Sequence, residues 1–194
     1  DIALDIPVEF QKSVRTVYYI WMAHIIALIF NFIGALTYFL TSHEYGRFPY
    51  SRITLPLSIL LLFVFPMISF LCWFRPLYKA LAHDNEFNMK MFLFFCILQL
   101  GGNIMFCLGI GDFSCGILNG SLVITLEGDA ALPVGIFMIV VGSMFGMLAL
   151  MNIGVMYVCG RWLVRMVMAK RQGISARLAL IETDAEEGTD QEIK

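Results

Sequence analysis

Four long runs of apolar residues divide the chain, and together they predict an all-α fold. The runs cover residues 17–40, 53–74, 91–110 and 132–159, and none of them contains Asp, Glu, Lys or Arg. A helix needs about 20 apolar residues to cross the roughly 30 Å hydrocarbon core of a bilayer. Continuous apolarity over such lengths excludes half-buried strands, in which apolar and polar positions alternate. The pattern therefore predicts a polytopic membrane protein built as a bundle of four transmembrane helices.

The composition also indicates that the chain is surrounded by lipid and not by water. The 194 residues are 59% hydrophobic and 14% charged, whereas a soluble domain carries roughly 25% charged residues. So little charge cannot cover a water-exposed surface, and we expect the lipid bilayer to be the main partner. The net charge of −2 gives no reason to expect a nucleic acid partner.

Lysine and arginine are distributed unevenly among the segments outside the runs. Cytoplasmic segments of membrane proteins carry an excess of these residues. Residues 1–16, the stretch between runs two and three, and residues 160–194 include Lys12, Arg15, Arg75, Lys79, Lys90, Arg161, Arg165, Lys170, Arg171 and Arg177. The connection between runs one and two contains Arg47 and Arg52. The connection between runs three and four contains no Lys or Arg, and its charged residues are acidic: Asp112, Glu127 and Asp129. We therefore predict that both termini and the middle loop face the cytoplasm.

This topology gives a cytoplasmic flank (1–16), a transmembrane domain (17–159) and a cytoplasmic tail (160–194). The tail stays apolar to Met168, which fits a helix on the membrane surface and equally a long fourth helix whose cations snorkel. From Glu182 the tail is acidic without apolar periodicity, and we expect this distal part to be disordered. The chain begins at Asp1 with no cleavable signal before the first run, so we expect a fragment or a processed chain of a longer protein.

Glycines in the fourth run mark a helix-packing face. Gly142 and Gly146 form a G-x-x-x-G motif, and Gly135 lies one heptad earlier. Small residues allow helix backbones to approach closely in lipid. We prefer packing within the chain over a dimer seam, although a homo-oligomer stays open.

Asn119 begins the sequence Asn-Gly-Ser in the connection between runs three and four. In a luminal loop this is a glycosylation acceptor sequence. An ordinary Asn-Gly turn explains the same residues, and this is the interpretation we prefer.

Residues for catalysis are not arranged in any recognisable pattern. The chain contains no H-E-x-x-H or G-x-S-x-G motif, and its five cysteines have neither C-x-x-C nor zinc-like spacing. The one ionisable side chain within a run is His24, which we expect to bond a neighbouring helix rather than relay protons. We therefore predict no enzyme activity, no cofactor and no metal.

The segment Cys72-Trp73-Phe74-Arg75-Pro76-Leu77-Tyr78-Lys79-Ala80-Leu81 combines aromatic and basic residues where run two ends. Trp73, Phe74 and Tyr78 are rings of the kind that lie at headgroup depth, and we expect Pro76 to end the helix. Arg75 and Lys79 would then face anionic lipid, partly offset by Asp84 and Glu86. Composition alone favours an ordinary collar that closes a membrane helix.

A family resemblance changes that balance. The segment resembles the stretch between the second and third helices of the secretory carrier membrane proteins. Other stretches match this family in the same order, namely DIPVEFQK (5–12), YYxWMxH (18–24), DxxF (84–87) and PVGIxMI (133–139). The match covers about residues 5–159.

The resemblance implies a four-helix protein of Golgi, endosomal and secretory-vesicle membranes that recycles to the plasma membrane and acts in exocytosis and endocytic recycling. It implies that the segment engages phosphoinositides and fusion machinery, a role that falls on Trp73, Arg75, Pro76, Tyr78 and Lys79. Ala82 stands where the family usually has a basic residue, so we expect weaker phosphoinositide binding. The Asn-Pro-Phe repeats of many members are absent.

A small membrane transporter or channel is the alternative from another class. Asn31, Gln99 and Asn103 could line a polar path across the bundle. The absence of any carboxylate or arginine within the runs argues against it. We therefore expect a vesicle trafficking protein.

Overall fold

The computed structural model describes residues 6–45, 51–110, 114–125 and 129–192. Within these ranges the chain is all-α, with α1 Val8–Tyr45, α2 Ser51–Ser69, α3 Arg75–Ala82, α4 Glu86–Leu108, α5 Ile117–Ile124 and α6 Ala131–Glu192. A π-helical turn, Phe70–Phe74, joins α2 to α3. Four helices are long and apolar enough to cross a membrane, which confirms the predicted fold class. Arg47, Asp112, Glu127 and residues 1–5, on which some predictions rest, lie outside the described residues.

The first and last helices form an antiparallel pair. Phe10 packs edge-on against Trp162, with ring centroids 4.8 Å apart, and Phe30 lies 6.2 Å from Phe137 nearer the opposite end. Helix α6 continues without interruption past Cys159, so of the two alternatives for the start of the tail the structure has the long fourth helix. The helix extends to Glu192, and the disorder that the acidic composition predicts for the distal tail stays a prediction.

Helix α4 packs against α6 along most of its length. The Asn85 side chain caps the start of α4 by accepting from the N–H groups of Phe87 and Asn88 at 2.9 and 3.3 Å. Further along, Asn152 of α6 donates its Nδ2 to the Cys96 carbonyl at 3.0 Å. Such interhelical bonds hold helices together in lipid, where the hydrophobic effect does not.

Helix α4 ends at Gly109, whose φ of +72° gives the left-handed turn that glycine adopts most easily. The chain then forms a short helix, α5, where the sequence predicted a loop, and its Gly120 and Val123 are buried. Asn31 of α1 accepts from the Cys115 N–H at 3.0 Å, and the Ser114 hydroxyl donates to the Phe106 carbonyl at 2.9 Å. These bonds satisfy backbone groups that lipid would leave unpaired.

Asn31 lies within the candidate membrane span Phe10–Thr41 of α1, and the break that it bonds lies at the same level. At 1.5 Å per residue, Asn31 lies about 20 Å along α1 from its end at Tyr45. The segment bonded to Asn31 is therefore sunk well below that end of the bundle. The third crossing is a broken helix, with α4 and α5 as its two parts.

Candidate functional site

The candidate site is the helix end formed by the π-helical turn and α3. The N–H of Arg75 bonds to the carbonyl of Phe70, five residues back, which is the π-helical pattern. Pro76 then falls in the first turn of α3, directly after this π-helical turn. The prediction that Pro76 ends the second helix is therefore wrong, because the helical path continues through it to Ala82.

Helix α3 has one buried face and one exposed face. Leu77, Ala80 and Leu81 are buried, continuing the face begun by Trp73. Arg75 and Lys79 are exposed and, being four residues apart, lie above one another on the opposite face. Arg75 and Lys79 are thus exposed on a helix whose opposite face is packed against the bundle.

Trp73 anchors this arrangement from inside the bundle. Its side chain is 3% exposed, and its Nε1–H donates to the Cys96 sulfur at 2.8 Å. The ring stacks on Phe92 and meets the His24 ring edge-on, each with centroids 6.0 Å apart. The ring is therefore buried within the bundle and its polar N–H has a partner inside the protein, while its depth relative to the headgroups stays a prediction.

The other rings of the segment are only partly buried. Phe74 stacks on Phe70 at 5.5 Å and meets Tyr18 of α1 edge-on at 6.0 Å. Tyr78 and Cys72 are also half-buried. These aromatic side chains form a belt around the end of the second helix.

Glu86, an acidic neighbour of the site, has two cationic partners of its own. Lys170 of α6 lies 3.3 Å from a Glu86 carboxylate oxygen and donates to the Asp84 carbonyl at 3.4 Å. Lys90 lies 3.7 Å from the other Glu86 oxygen. The expected offset of the basic face by Glu86 is reduced, because two lysines share that carboxylate.

The same contacts show which segments share one end of the bundle. Lys170 brings the tail helix beside the α3–α4 turn, and Phe10 brings the start of α1 beside Trp162. These are the three parts of the chain that the lysine and arginine distribution assigned to one side.

The predicted packing glycines face backbone within the chain. A Cβ on Gly135 would lie 2.7 Å from the Gly120 carbonyl oxygen, and one on Gly142 would lie 2.8 Å from the Cys107 carbonyl oxygen. A Cβ on Gly146 would meet only the Cys107 sulfur, at 3.1 Å. The close approaches at this face join α6 to α4 and α5.

Asn119 lies within α5, so neither a loop nor a turn surrounds it. Its Nδ2 donates to the Ser114 carbonyl at 2.9 Å. The nitrogen that glycosylation would modify is therefore used in holding the broken crossing together.

Sequence reasoning missed the partners that only the fold brings together. The predicted bond from His24 to a neighbouring helix is confirmed, with Nε2 3.1 Å from the Asn103 Oδ1. The burial of Trp73 had a signal in the sequence, because Trp73, Leu77 and Ala80 follow the spacing of one helical face. Nothing local indicated that Cys96 or Lys170 would meet the segment.

Comparison with known proteins places the chain among relatives of one kind. A model of the SCAMP family matches residues 1–165. Secretory carrier-associated membrane protein 1 of Sus scrofa is 36% identical over 147 residues, 75% of this chain and 40% of the relative. Secretory carrier-associated membrane protein 3 of Mus musculus is 34% identical over 153 residues, 79% of this chain and 41% of the relative. The chain thus spans about two fifths of the length of these relatives, and no solved structure matches it.

Proposed function

This chain belongs to the SCAMP family, and from that membership we propose that it is a vesicle trafficking protein acting in exocytosis and endocytic recycling. Membership makes it a membrane protein of secretory carriers. Our proposal adds that the basic face of α3, Arg75 and Lys79, binds anionic lipid of the cytoplasmic leaflet. In this role the protein anchors and positions, and it catalyses no reaction.

The observation that carries the proposal is the pairing of a fixed buried face with an exposed basic one. Arg75 and Lys79 project from a helix whose Trp73 and Leu77 are 3% and 1% exposed. Each basic residue close to an anionic leaflet contributes about 1 kcal/mol. Two residues together give about 2 kcal/mol, or roughly thirty-fold local enrichment of an anionic lipid.

Phosphoinositides suit this face better than lipids with a single charge. A headgroup with several phosphates can contact both cations at once, and arginine binds phosphate with paired, parallel hydrogen bonds. Because Glu86 is shared by Lys170 and Lys90, positive charge prevails around the site. Fusion proteins that work at the same leaflet are the protein partners that we propose.

The test measures lipid enrichment around the full chain reconstituted in vesicles that contain a fluorescent phosphoinositide. The effective affinity for the phosphoinositide, measured by energy transfer from the protein to the lipid, should fall about thirty-fold in the double variant Arg75→Ala/Lys79→Ala. Lys12→Ala/Arg15→Ala is the matched control, since both residues are exposed cations on α1. Equal losses in the two double variants would contradict a specific role for α3.

A gain of function is expected at Ala82. This residue lies three positions after Lys79, on the same side of α3, where a lysine would add a third cation. Ala82→Lys should raise phosphoinositide enrichment about five-fold, measured by the same energy transfer. Ala82→Gln controls for size and polarity, and the reasoning fails if it matches the lysine variant.

The proposed location is the Golgi, endosomal and secretory-vesicle membranes, with recycling to the plasma membrane and both termini in the cytoplasm. Tags at each end of the protein in cells test this directly. Antibodies should reach both tags after selective permeabilisation of the plasma membrane. A tag that becomes accessible only after internal membranes are opened would reverse the orientation and place α3 in the wrong compartment.

A membrane transporter or channel is the second candidate, and the broken third crossing is the observation that favours it. Discontinuous helices often form substrate sites in transporters. Here, however, Asn31 and Asn152 use their amides to bond Cys115 and Cys96, so they act as links between helices. Flux across vesicles reconstituted with the full chain distinguishes the two functions.

A further inference from the structure

A cavity of about 170 Å³ lies between α1, α2, the π-helical turn, α4 and α6. Much of its wall is aromatic, with Phe65, Phe95 and Phe106 among the lining residues. Ile68 and Leu98 also line it and are 53% and 56% exposed. Because both residues belong to membrane-spanning segments, the cavity opens sideways toward lipid.

The inner wall of the cavity contains a polar pair, His24 and Asn103. Their side chains are 3% and 2% exposed. His24 lies 2.9 Å from the Ile20 carbonyl through Nδ1 and 3.1 Å from the Asn103 Oδ1 through Nε2. A neutral His24 has a single N–H, so His24 can donate to only one of these two oxygens, and the Asn103 amide can turn to donate to Nε2. In either orientation one polar atom of the Asn103 amide has no hydrogen-bond partner among the described residues.

An unpaired buried amide inside a membrane requires a partner. Leaving such a polar atom unsatisfied costs about 1–3 kcal/mol, and buried polar groups in native proteins are nearly always paired. Asn103 lines the cavity, and no helix of the described bundle supplies the missing partner. Asn31 and Asn152 also have an unpaired amide atom each, but of the three asparagines Asn103 is the one that lines this cavity, where a bound molecule can supply the partner.

The lining defines the chemistry of this molecule. Asp, Glu, Lys and Arg are not among the described residues around the cavity, so an ionic headgroup would be buried without a permanent counter-charge. A hydroxyl group both donates and accepts, so it can bond the unpaired atom of Asn103 in either orientation and also the side-chain amide of Gln99, which lines the same space. Flat aromatic walls and a mouth open to lipid suit a rigid apolar body.

We propose that this cavity binds a membrane sterol. The sterol hydroxyl bonds Asn103, and the ring system passes between Ile68 and Leu98 into the bilayer. The π-helical turn supports the assignment, because Cys72 and Trp73 from this turn form part of the wall and such turns are frequent at functional sites. The inference does not depend on phosphoinositide binding at α3.

The test uses the full chain reconstituted in vesicles that contain a photoreactive sterol. Peptide mapping should place saturable labelling on the cavity-lining residues of α2 and α4. Leu98→Trp should close the mouth and abolish this labelling. Ile97→Trp is the matched control, since Ile97 is also 56% exposed but does not line the cavity.

Asn103→Leu tests the hydroxyl contact, and labelling should fall about five-fold because one hydrogen bond is lost. A sterol with the inverted hydroxyl should compete less well than the natural epimer. Equal labelling of the Leu98 and Ile97 variants would overturn the proposal. So would competition by diacylglycerol but not by sterol, or absence of saturable labelling, which would leave water as the partner of Asn103.

Discussion

Replacing Trp73 with alanine should destabilise the bundle, because the ring is an internal anchor and not a contact with lipid headgroups. The side chain is 3% exposed and stacks on Phe92 at 6.0 Å. Removal of a buried aromatic ring costs about 3–5 kcal/mol in soluble cores. Between helices in lipid the hydrophobic effect contributes little, so the variant loses mainly packing contacts. We therefore expect a loss at the lower end of this range, about 3 kcal/mol.

Trp73→Phe separates the ring from its hydrogen bond. Phenylalanine keeps an aromatic ring against Phe92 but cannot donate to the Cys96 sulfur, 2.8 Å away in the native protein. Loss of one such bond should cost about 1 kcal/mol. Lys79→Ala, an exposed change on α3, is the control and should stay within about 0.5 kcal/mol of the native protein.

Two measurements check this reasoning. Denaturant unfolding of the full chain in bicelles, followed by helical circular dichroism, gives the three free energies. A variant with Trp21→Phe and Trp162→Phe leaves Trp73 as the sole tryptophan of the three, and lipids brominated near the headgroup should quench it only weakly. A Trp73→Ala protein as stable as Lys79→Ala, together with strong quenching, would show that the ring faces lipid.

Two further predictions concern the broken crossing. Gly142→Ala should destabilise the bundle by about 2 kcal/mol, because its Cβ would lie 2.8 Å from the Cys107 carbonyl oxygen. Gly154→Ala is the control and should not destabilise it, because the space around Gly154 is open. Unfolding in bicelles compares the two variants, and equal stabilities would refute the packing. Asn119 should carry no glycan in cells because its Nδ2 bonds Ser114, so glycosidase treatment should leave gel mobility unchanged, and a shift abolished by Asn119→Gln would contradict this.

Apolar length alone was sufficient to predict the four membrane-spanning helices. Uncharged runs of about 20 residues have no stable alternative in lipid other than a helix. The bond from His24 to another helix also followed from general physics, because an ionisable group in a membrane segment needs a polar partner. The identity of that partner, Asn103, depends on residues 79 positions apart.

The features that sequence reasoning missed are stabilised by distant contacts. Helix α5 has eight residues, too few to form alone, and it follows a break that Asn31 stabilises from 84 positions away. The helical path through Pro76 depends on the preceding π-helical turn, which shifts the hydrogen bonding by one residue. Local propensity predicted a stop at Pro76 because it contains no information about that shift.

The burial of Trp73 and the exposure of Arg75 and Lys79 are two consequences of one helix orientation. A helix free to rotate on the membrane surface would spend binding energy on ordering its cations before they met a phosphate. Here the buried face fixes that rotation, so Arg75 and Lys79 stay one helical turn apart, about 5–6 Å between Cβ atoms. The Trp73→Ala change should therefore weaken phosphoinositide enrichment without removing any charge, whereas Arg75→Ala/Lys79→Ala should weaken it without loss of stability. That opposite pattern, measured in one set of vesicles, distinguishes a preorganised basic face from a merely charged one.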